Sequence, residues 1–357
     1  TVLSRGLGDV YKRQVELSAA DDNVYEDIVN ISHTSDTLLT VNSVNLDDTD
    51  MGFSLTLSES GSDITLANTA SVINLDGSGA LTIAATGTGD IKVAGSTTSV
   101  VADGDVTLKA NNIADATNAL AISGDAGGDR TLTVTQQGTG DGAIINVAVS
   151  TDQFSAVALT QTESDSTIDI DLAGADLIDI NDGGTAIAKL NSAILTTNDA
   201  SFTYTLNDGT TDILIGDGTV TDDVQVGAAA LTIVSGGGIQ IGSSLDDTVI
   251  LAAEAGGNVS LTAQGNAAAN DAISDASTGG DTINLSGGGT LELSSARGAG
   301  TSSDVIETKG ATSLAASATS SGGVYINNSN NSNIDITTVG STTGVTAAAG
   351  NISIVNA

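Results

Sequence analysis

"GDIKVAGSTTSVVADGDVTLKANN", residues 89–112, carries one small pattern twice. Gly89-Asp90-Ile91-Lys92-Val93 is answered fifteen residues later by Gly104-Asp105-Val106-Thr107-Leu108. Each copy is a turn pair followed by an apolar-polar-apolar triplet. A period of two is the mark of a strand with one buried face and one wet face. The Gly, Asn and Asp residues ahead of each triplet tolerate φ > 0, so they predict a corner. Working outward, the pattern returns at 62–66, 79–83, 229–233, 257–261, 322–326 and 350–354, and more loosely at 131–134, 282–285 and 291–293. The polar position is often Thr or Ser, which suit the outer face of a strand.

Strand starts recur irregularly, and no long stretch keeps helical spacing. Segments 111–120 and 264–278, rich in Ala, Asn and Asp, read as loops or a short helix. Short strands, corner residues and aliphatic filling are reconciled by coiling the chain. The expected fold is all-β, a right-handed parallel β-helix (β-solenoid) with about 20 residues per coil. Inward Val, Ile and Leu would stack on their equivalents one coil away. The two copies in the opening stretch then read as equivalent sides of successive coils. Tandem β-sandwich domains are the competing architecture, since they too show short strands at regular spacing. Sandwiches usually bury a Trp or Tyr and place Pro in their linkers. This chain has four Tyr, no Trp and no Pro.

Composition bounds the function. Of 357 residues, 44 are acidic and 9 basic, a net charge of −35. Such a chain repels nucleic-acid phosphates and anionic membrane surfaces. Its acids sit singly or in pairs between apolar residues, unlike a disordered acidic tail. Without Cys, disulfides, thiolate metal sites and thiol nucleophiles are excluded. The lack of Pro suits long hydrogen-bonded ladders, to which Pro cannot donate. No apolar run approaches the ~18 residues that span a membrane as a helix.

The first fourteen residues, TVLSRGLGDVYKRQ, lack the pattern and hold three of the nine bases. They resemble translated sequencing-adapter read-through and are set aside as a non-native segment. Residues 15–50 read as an irregular lead-in or first coils, and 51–357 as the solenoid repeat region. The last pattern copy lies at the very end of the chain, so the sequence reads as an interior slice of a longer protein.

The stretches "GDVTLKA", "GGNVSLTAQG", "GGVYINNSNNSNIDI" and "GNISIVNA" resemble the coils of filamentous-haemagglutinin-like and autotransporter-passenger bacterial adhesins. That resemblance, one of style over about residues 50–357, implies a right-handed β-helix on the cell surface that acts in adhesion or biofilm. It carries no catalytic residues with it.

Candidate chemistry is sparse. His33 is the single histidine, with Asp36 three residues on. A Ser-His-Asp arrangement needs convergent geometry that local spacing does not supply, so His33 reads as an exposed loop residue. The acids are more suggestive. Asp-Gly pairs occur at Asp76, Asp103, Asp141, Asp182, Asp208 and Asp217, and paired acids at Asp222-Asp223 and Asp246-Asp247. Oxygen-rich turns with Gly suit a hard cation. The densest stretch, "LNDGTTDILIGDGTVTDDVQVG" at 206–227, makes Asp208, Asp212, Asp217, Asp222 and Asp223 candidate Ca²⁺ ligands. It lacks the Gly-Gly of calcium-binding nonapeptide repeats, and Asp-Gly is also a favoured tight turn. Asp169 and Asp171 alternate with Ile168, Ile170 and Leu172. They could serve glycoside hydrolysis, which needs two carboxylates at a set separation, or form an outward acidic face, the preferred reading. The Asn-rich run at 326–336 reads as a ladder inside a corner of the coil or as residues accepting αL turns, in preference to a surface for sugar hydroxyls.

The expected role is therefore non-enzymatic: a secreted or cell-surface rod presenting a repetitive acidic, hydroxyl-rich face to host-cell or matrix glycans or proteins. Many weak contacts would add by multivalency. Neither nucleic acid nor membrane insertion is expected. A carbohydrate-active enzyme on a β-helix scaffold, or a phage tail-fibre or spike segment, is the alternative.

Overall fold

The computed structural model describes residues 13–19, 28–33, 39–46, 52–75, 78–124, 130–137, 143–149, 154, 156–161, 167–171, 177–181, 187–195, 201–206, 212–216, 223–226, 230–242, 250–252, 256–265, 271–276, 283–329 and 333–357. The described residues form strands and turns only, and the strands stack in parallel as a β-solenoid.

One face is a single long parallel ladder. It begins at Ile28–His33 and Gly52–Leu57, and passes through Leu81–Ala85, Val106–Ala110 and Thr131–Gln136. Ala156–Gln161, Ser201–Leu206, Ala230–Ser235 and Asn258–Ala263 follow. The ladder then enters the second halves of Ile283–Ser295 and Ile306–Ala318. The opposite sheet carries two ladders side by side. Leu39–Leu46 shows why, since its first half pairs with Ile64–Leu66 and its second half with Ile73–Leu75. One long strand, Leu39–Leu46, thus lies beside two short ones in the next coil.

A coil is longer than the expected 20 residues. Ile64 lies beside Ile91, 27 residues on, and Val106 beside Leu132, 26 residues on. The longer repeat corrects the reading of the opening stretch. Ile91–Val93 lies in one sheet and Val106–Ala110 in the other. The two copies are therefore different sides of one coil. A fifteen-residue step crosses roughly half of it.

The glycines of those copies also act differently from expectation. Neither Gly89 nor Gly104 is among the residues with positive φ. Each sits where two coils touch. A Cβ on Gly104 would lie 2.4 Å from the carbonyl oxygen of Gly79, and one on Gly89 would lie 2.3 Å from that of Ser62. Close backbone approach demands the glycine here.

The adjoining acids knit the corners together. Asp63 Oδ1 accepts the Asp90 N–H at 3.0 Å. Asp90 Oδ1 accepts the Asn112 N–H at 3.1 Å and its side-chain amide at 2.8 Å. Asn112 Oδ1 in turn accepts the Ile144 N–H at 2.7 Å. On the other corner, Asp105 Oδ1 accepts the Thr131 N–H at 2.8 Å. A corner N–H has no ladder partner, so the side chain one coil back satisfies it.

The core lies between the sheets and is almost wholly aliphatic, with Val41, Leu66, Ile83, Leu108, Val134 and Ile233 at zero exposure. Phe202 and Tyr204 are the ring pair inside, stacked at 6.5 Å, and the Tyr204 hydroxyl donates to Gln161 Oε1 at 2.8 Å.

Among the described residues, the parallel order of the large sheets breaks at one place. Leu177–Asn181 runs antiparallel to both its neighbours, Thr167–Asp171 and Ile187–Ile194. This excursion stretches one coil to 45 residues, from Val157 to Phe202. Ile168 and Ile170 point in and Asp169 and Asp171 point out. Segment 111–120 is a loop bridged by Ile113 and leading into Leu120–Ser123, and 264–278 contains the strand Ile273–Asp275.

Candidate functional site

The coil that follows Ile306–Ala318 breaks its long-face strand in two. Asp335–Ile336 and Val345–Ala347 both pair with Ile306–Ala318. Between them the chain steps outward as a small antiparallel hairpin, Thr338–Val339 against Thr342–Thr343. The hairpin folds back over the outer face and covers Glu292, an outward residue on Ile283–Ser295. Ala315, in register beside Glu292, is fully buried although its strand position faces out. A small residue there lets the hairpin reach the carboxylate.

Glu292 is 6% exposed. Its Oε1 accepts the Ser341 and Thr342 N–H groups, each at 3.0 Å, and the Ser341 hydroxyl at 3.1 Å. Its Oε2 accepts the Ser260 hydroxyl at 2.9 Å. Burial alone pushes the carboxyl pKa up, but the hydrogen bonds from Thr342, Ser260 and Ser341 outweigh it and hold it below the ordinary glutamate value. Gly340 makes this approach possible. Its φ is +56°, and a Cβ there would lie 2.2 Å from Glu292 Oε2.

Beside this clasp lies an open cleft of about 540 Å³. Its floor is the long face (Thr232, Ser260, Thr290, Ser313) and its wall is the hairpin. The lining is hydroxyl-rich, and Glu292 is its one carboxylate. With both oxygens engaged and its charge favoured, Glu292 is unsuited to donate a proton as a general acid at neutral pH.

Away from the cleft, the outer surface of the long ladder is ordered in rows. Ser54, Thr82, Thr107 and Thr133 occupy equivalent positions on successive strands, followed after Ala158 by Thr203, Thr232 and Ser260. A second row runs through Lys109, Thr135, Thr160 and Thr205.

Of the candidate Ca²⁺ ligands, Asp208, Asp217 and Asp222 lie outside the described residues, and the Asp223 side chain does too. Asp212 is on the strand Asp212–Ile215, and its Oδ1 accepts the Gly238 N–H at 2.7 Å, the same coil-to-coil role as Asp63 and Asp105. Among the described residues no group of three or more His, Asp or Glu side chains is placed to hold a metal. His33 belongs to the strand Ile28–His33 rather than a loop, with its side chain outside the described set, as is Asp36. Asp76, Asp141, Asp182, Asp246 and Asp247 are also outside it.

The Asn-rich run divides. Asn328 is fully buried. Its Oδ1 accepts the Thr308 hydroxyl at 2.9 Å, and its amide donates to Asn356 Oδ1 at 2.7 Å one coil on. Of the two structural readings, this pair is the ladder. The Glu292 clasp was missed by sequence reasoning, because its partners lie 32 to 50 residues away and nothing local marks them.

No protein-family model matches this chain, and neither a curated protein nor a solved structure matches it.

Proposed function

We propose that this chain is a structural and adhesive segment of a larger surface or secreted bacterial protein, acting by geometry rather than turnover. The observation that carries the reading is the long outer face, where rows of hydroxyl side chains repeat in register along one unbroken parallel ladder. A stack of this kind is stiff because each coil is held by its neighbours. A stiff scaffold with identical groups at regular intervals suits weak contacts that add when many copies are presented together. The acidic surface keeps such rods apart and soluble. Extracellular placement and the filamentous-haemagglutinin-like kinship are part of the same proposal. Glycoside hydrolysis has less support, since it needs two carboxylates across a cleft and this cleft offers one already engaged by four donors.

The test is bead retention. Beads coated with the full chain at increasing density are passed over immobilised matrix polysaccharides and cell-surface glycoproteins. Retention that rises steeply with density, above beads carrying an unrelated protein of equal negative charge, supports adhesion. Retention equal to the control at every density refutes it.

A further inference from the structure

Among the described residues, the middle of the long face is a broad surface without charge in this acidic chain. Five consecutive strands build it: Thr131–Gln136, Ala156–Gln161, Ser201–Leu206, Ala230–Ser235 and Asn258–Ala263. Each offers three outward positions, and each is in parallel register with the next. Every one of the fifteen is Thr, Ser, Ala, Val or Asn. Lys109 stands at one border, in register with Thr135, and Glu292 at the other, in register with Ser260 and clasped beneath the hairpin. On the opposite sheet Lys92, Asp169 and Asp171 face outward.

The patch is a grid in two dimensions. Neighbouring strands lie about 4.8 Å apart, and alternate residues along a strand about 6.6 Å apart. Most of its outward side chains are threonines, which are stiff at χ1. Each therefore repeats one hydroxyl and one methyl at nearly fixed positions. The grid measures roughly 20 Å by 13 Å on those spacings.

Its chemistry selects among occupants. A second copy of the chain is disfavoured, because a few hundred Å² falls short of the ~800 Å² per partner of a standard interface and both copies carry −35. An ionic or phosphate surface finds no opposite charge here. A polysaccharide would find no aromatic platform, and one planar amide, Asn258, at a corner. What remains is a partner that is neutral, flat and itself periodic, offering a hydrogen-bond site to each hydroxyl and a void to each methyl. Ordered water answers that description. The oxygens on the faces of hexagonal ice repeat at a step close to the strand spacing, so water bridging one threonine row is already near its place in the crystal. We propose that this grid, centred on Thr203, is an ice-binding surface.

This goes beyond the adhesive reading and does not depend on it, since a free chain binds ice without multivalent presentation. The experiment is ice partition. The full chain in dilute buffer is exposed to a slowly growing ice hemisphere, and ice and liquid fractions are assayed. Thr203→Lys places a long charged side chain at the centre of the grid. Thr133→Lys places one in the same row two coils away, on the grid's first strand, should the first variant misfold. Thr117→Lys, on an exposed loop, makes the same charge change elsewhere. Circular-dichroism melting establishes which variants fold.

The expected result is that wild type and Thr117→Lys concentrate in the ice while Thr203→Lys and Thr133→Lys stay in the liquid. Exclusion of the wild type from ice overturns the proposal, as does equal incorporation of all variants, which is trapping. Exclusion from ice combined with retention on microcrystalline cellulose overturns it in favour of a glycan.

Discussion

Glu292 is the residue on which the outer surface turns. A carboxylate at 6% exposure is costly unless hydrogen bonds replace its water. Four donors do so, and three of them come from two residues of one hairpin. The clasp is therefore linked to pH. The folded carboxyl titrates below its ordinary value, so its contribution is full above that value and is lost as pH falls through the lower, folded one. Hydrogen-exchange protection of residues 338–343, taken relative to the intrinsic rate at each pH, should be high at neutral pH and fall below the ordinary glutamate range. Glu292→Gln should raise exchange there at neutral pH and flatten its pH dependence, because a neutral amide accepts more weakly than a carboxylate. Unchanged protection in the variant would remove Glu292 as the clasp. Asn328 makes a second residue-scale case. It is fully buried with partners in both neighbouring coils. Asn328→Ala should cost about 1–3 kcal/mol in denaturant unfolding, since it leaves buried partners unsatisfied. A cost within error of zero would mean that water takes over the ladder.

At the scale of elements, the strands were legible because alternation is a local property. Residues 62–66, 79–83, 89–93, 104–108 and 229–233 each hold a strand whose inward side chains are those the alternation selects. The assignment of copies to faces was not legible. One coil contains several strands of the same design, and only register tells a half-coil step from a full one. The antiparallel excursion at 167–194 was hidden for the same reason: its strands alternate like the others, and parallel and antiparallel neighbours leave the same trace. The corner glycines were visible as glycines, but their cause was not, because touching coils are a tertiary fact. Gly104 tests that cause. Its φ is permissive, so Ala would cost little if only backbone freedom mattered. The 2.4 Å approach to Gly79 predicts instead that Gly104→Ala lowers stability by about 1–3 kcal/mol, the usual penalty of overpacking. At Gly256, where φ is +93° but a Cβ meets nothing within 4 Å, the loss should come from backbone strain alone. Equal melting temperatures for wild type and Gly104→Ala would show that the coils can separate locally.

At the scale of the whole molecule, charge opposes the stack. The chain carries −35, and among the described residues some acids of one coil lie against those of the next. Asp63 and Asp90 lie one coil apart, with Lys92 between them, paired to Asp63 and 3.7 Å from Asp90. Lys92 is half exposed, so its relief of that repulsion is small. Corner carboxylates such as Asp105 and Asp212 are fixed by the N–H of the next coil, which holds like charges at a set spacing along the rod. Screening should therefore stabilise the fold. The Debye length falls from about 30 Å at 0.01 M salt to about 3 Å at 1 M, from several coil spacings to less than one. The melting temperature should rise with NaCl over that range. Calcium provides the discriminating arm. If the acids between 206 and 227 act only as corner ties and as a charged coat, CaCl₂ matched to NaCl in ionic strength should give much the same rise. An excess that saturates at millimolar Ca²⁺ would instead be the mass-action signature of bound ligand. It would then assign Asp208, Asp212, Asp217, Asp222 and Asp223 a role in cation binding beyond the tie that Asp212 makes to Gly238.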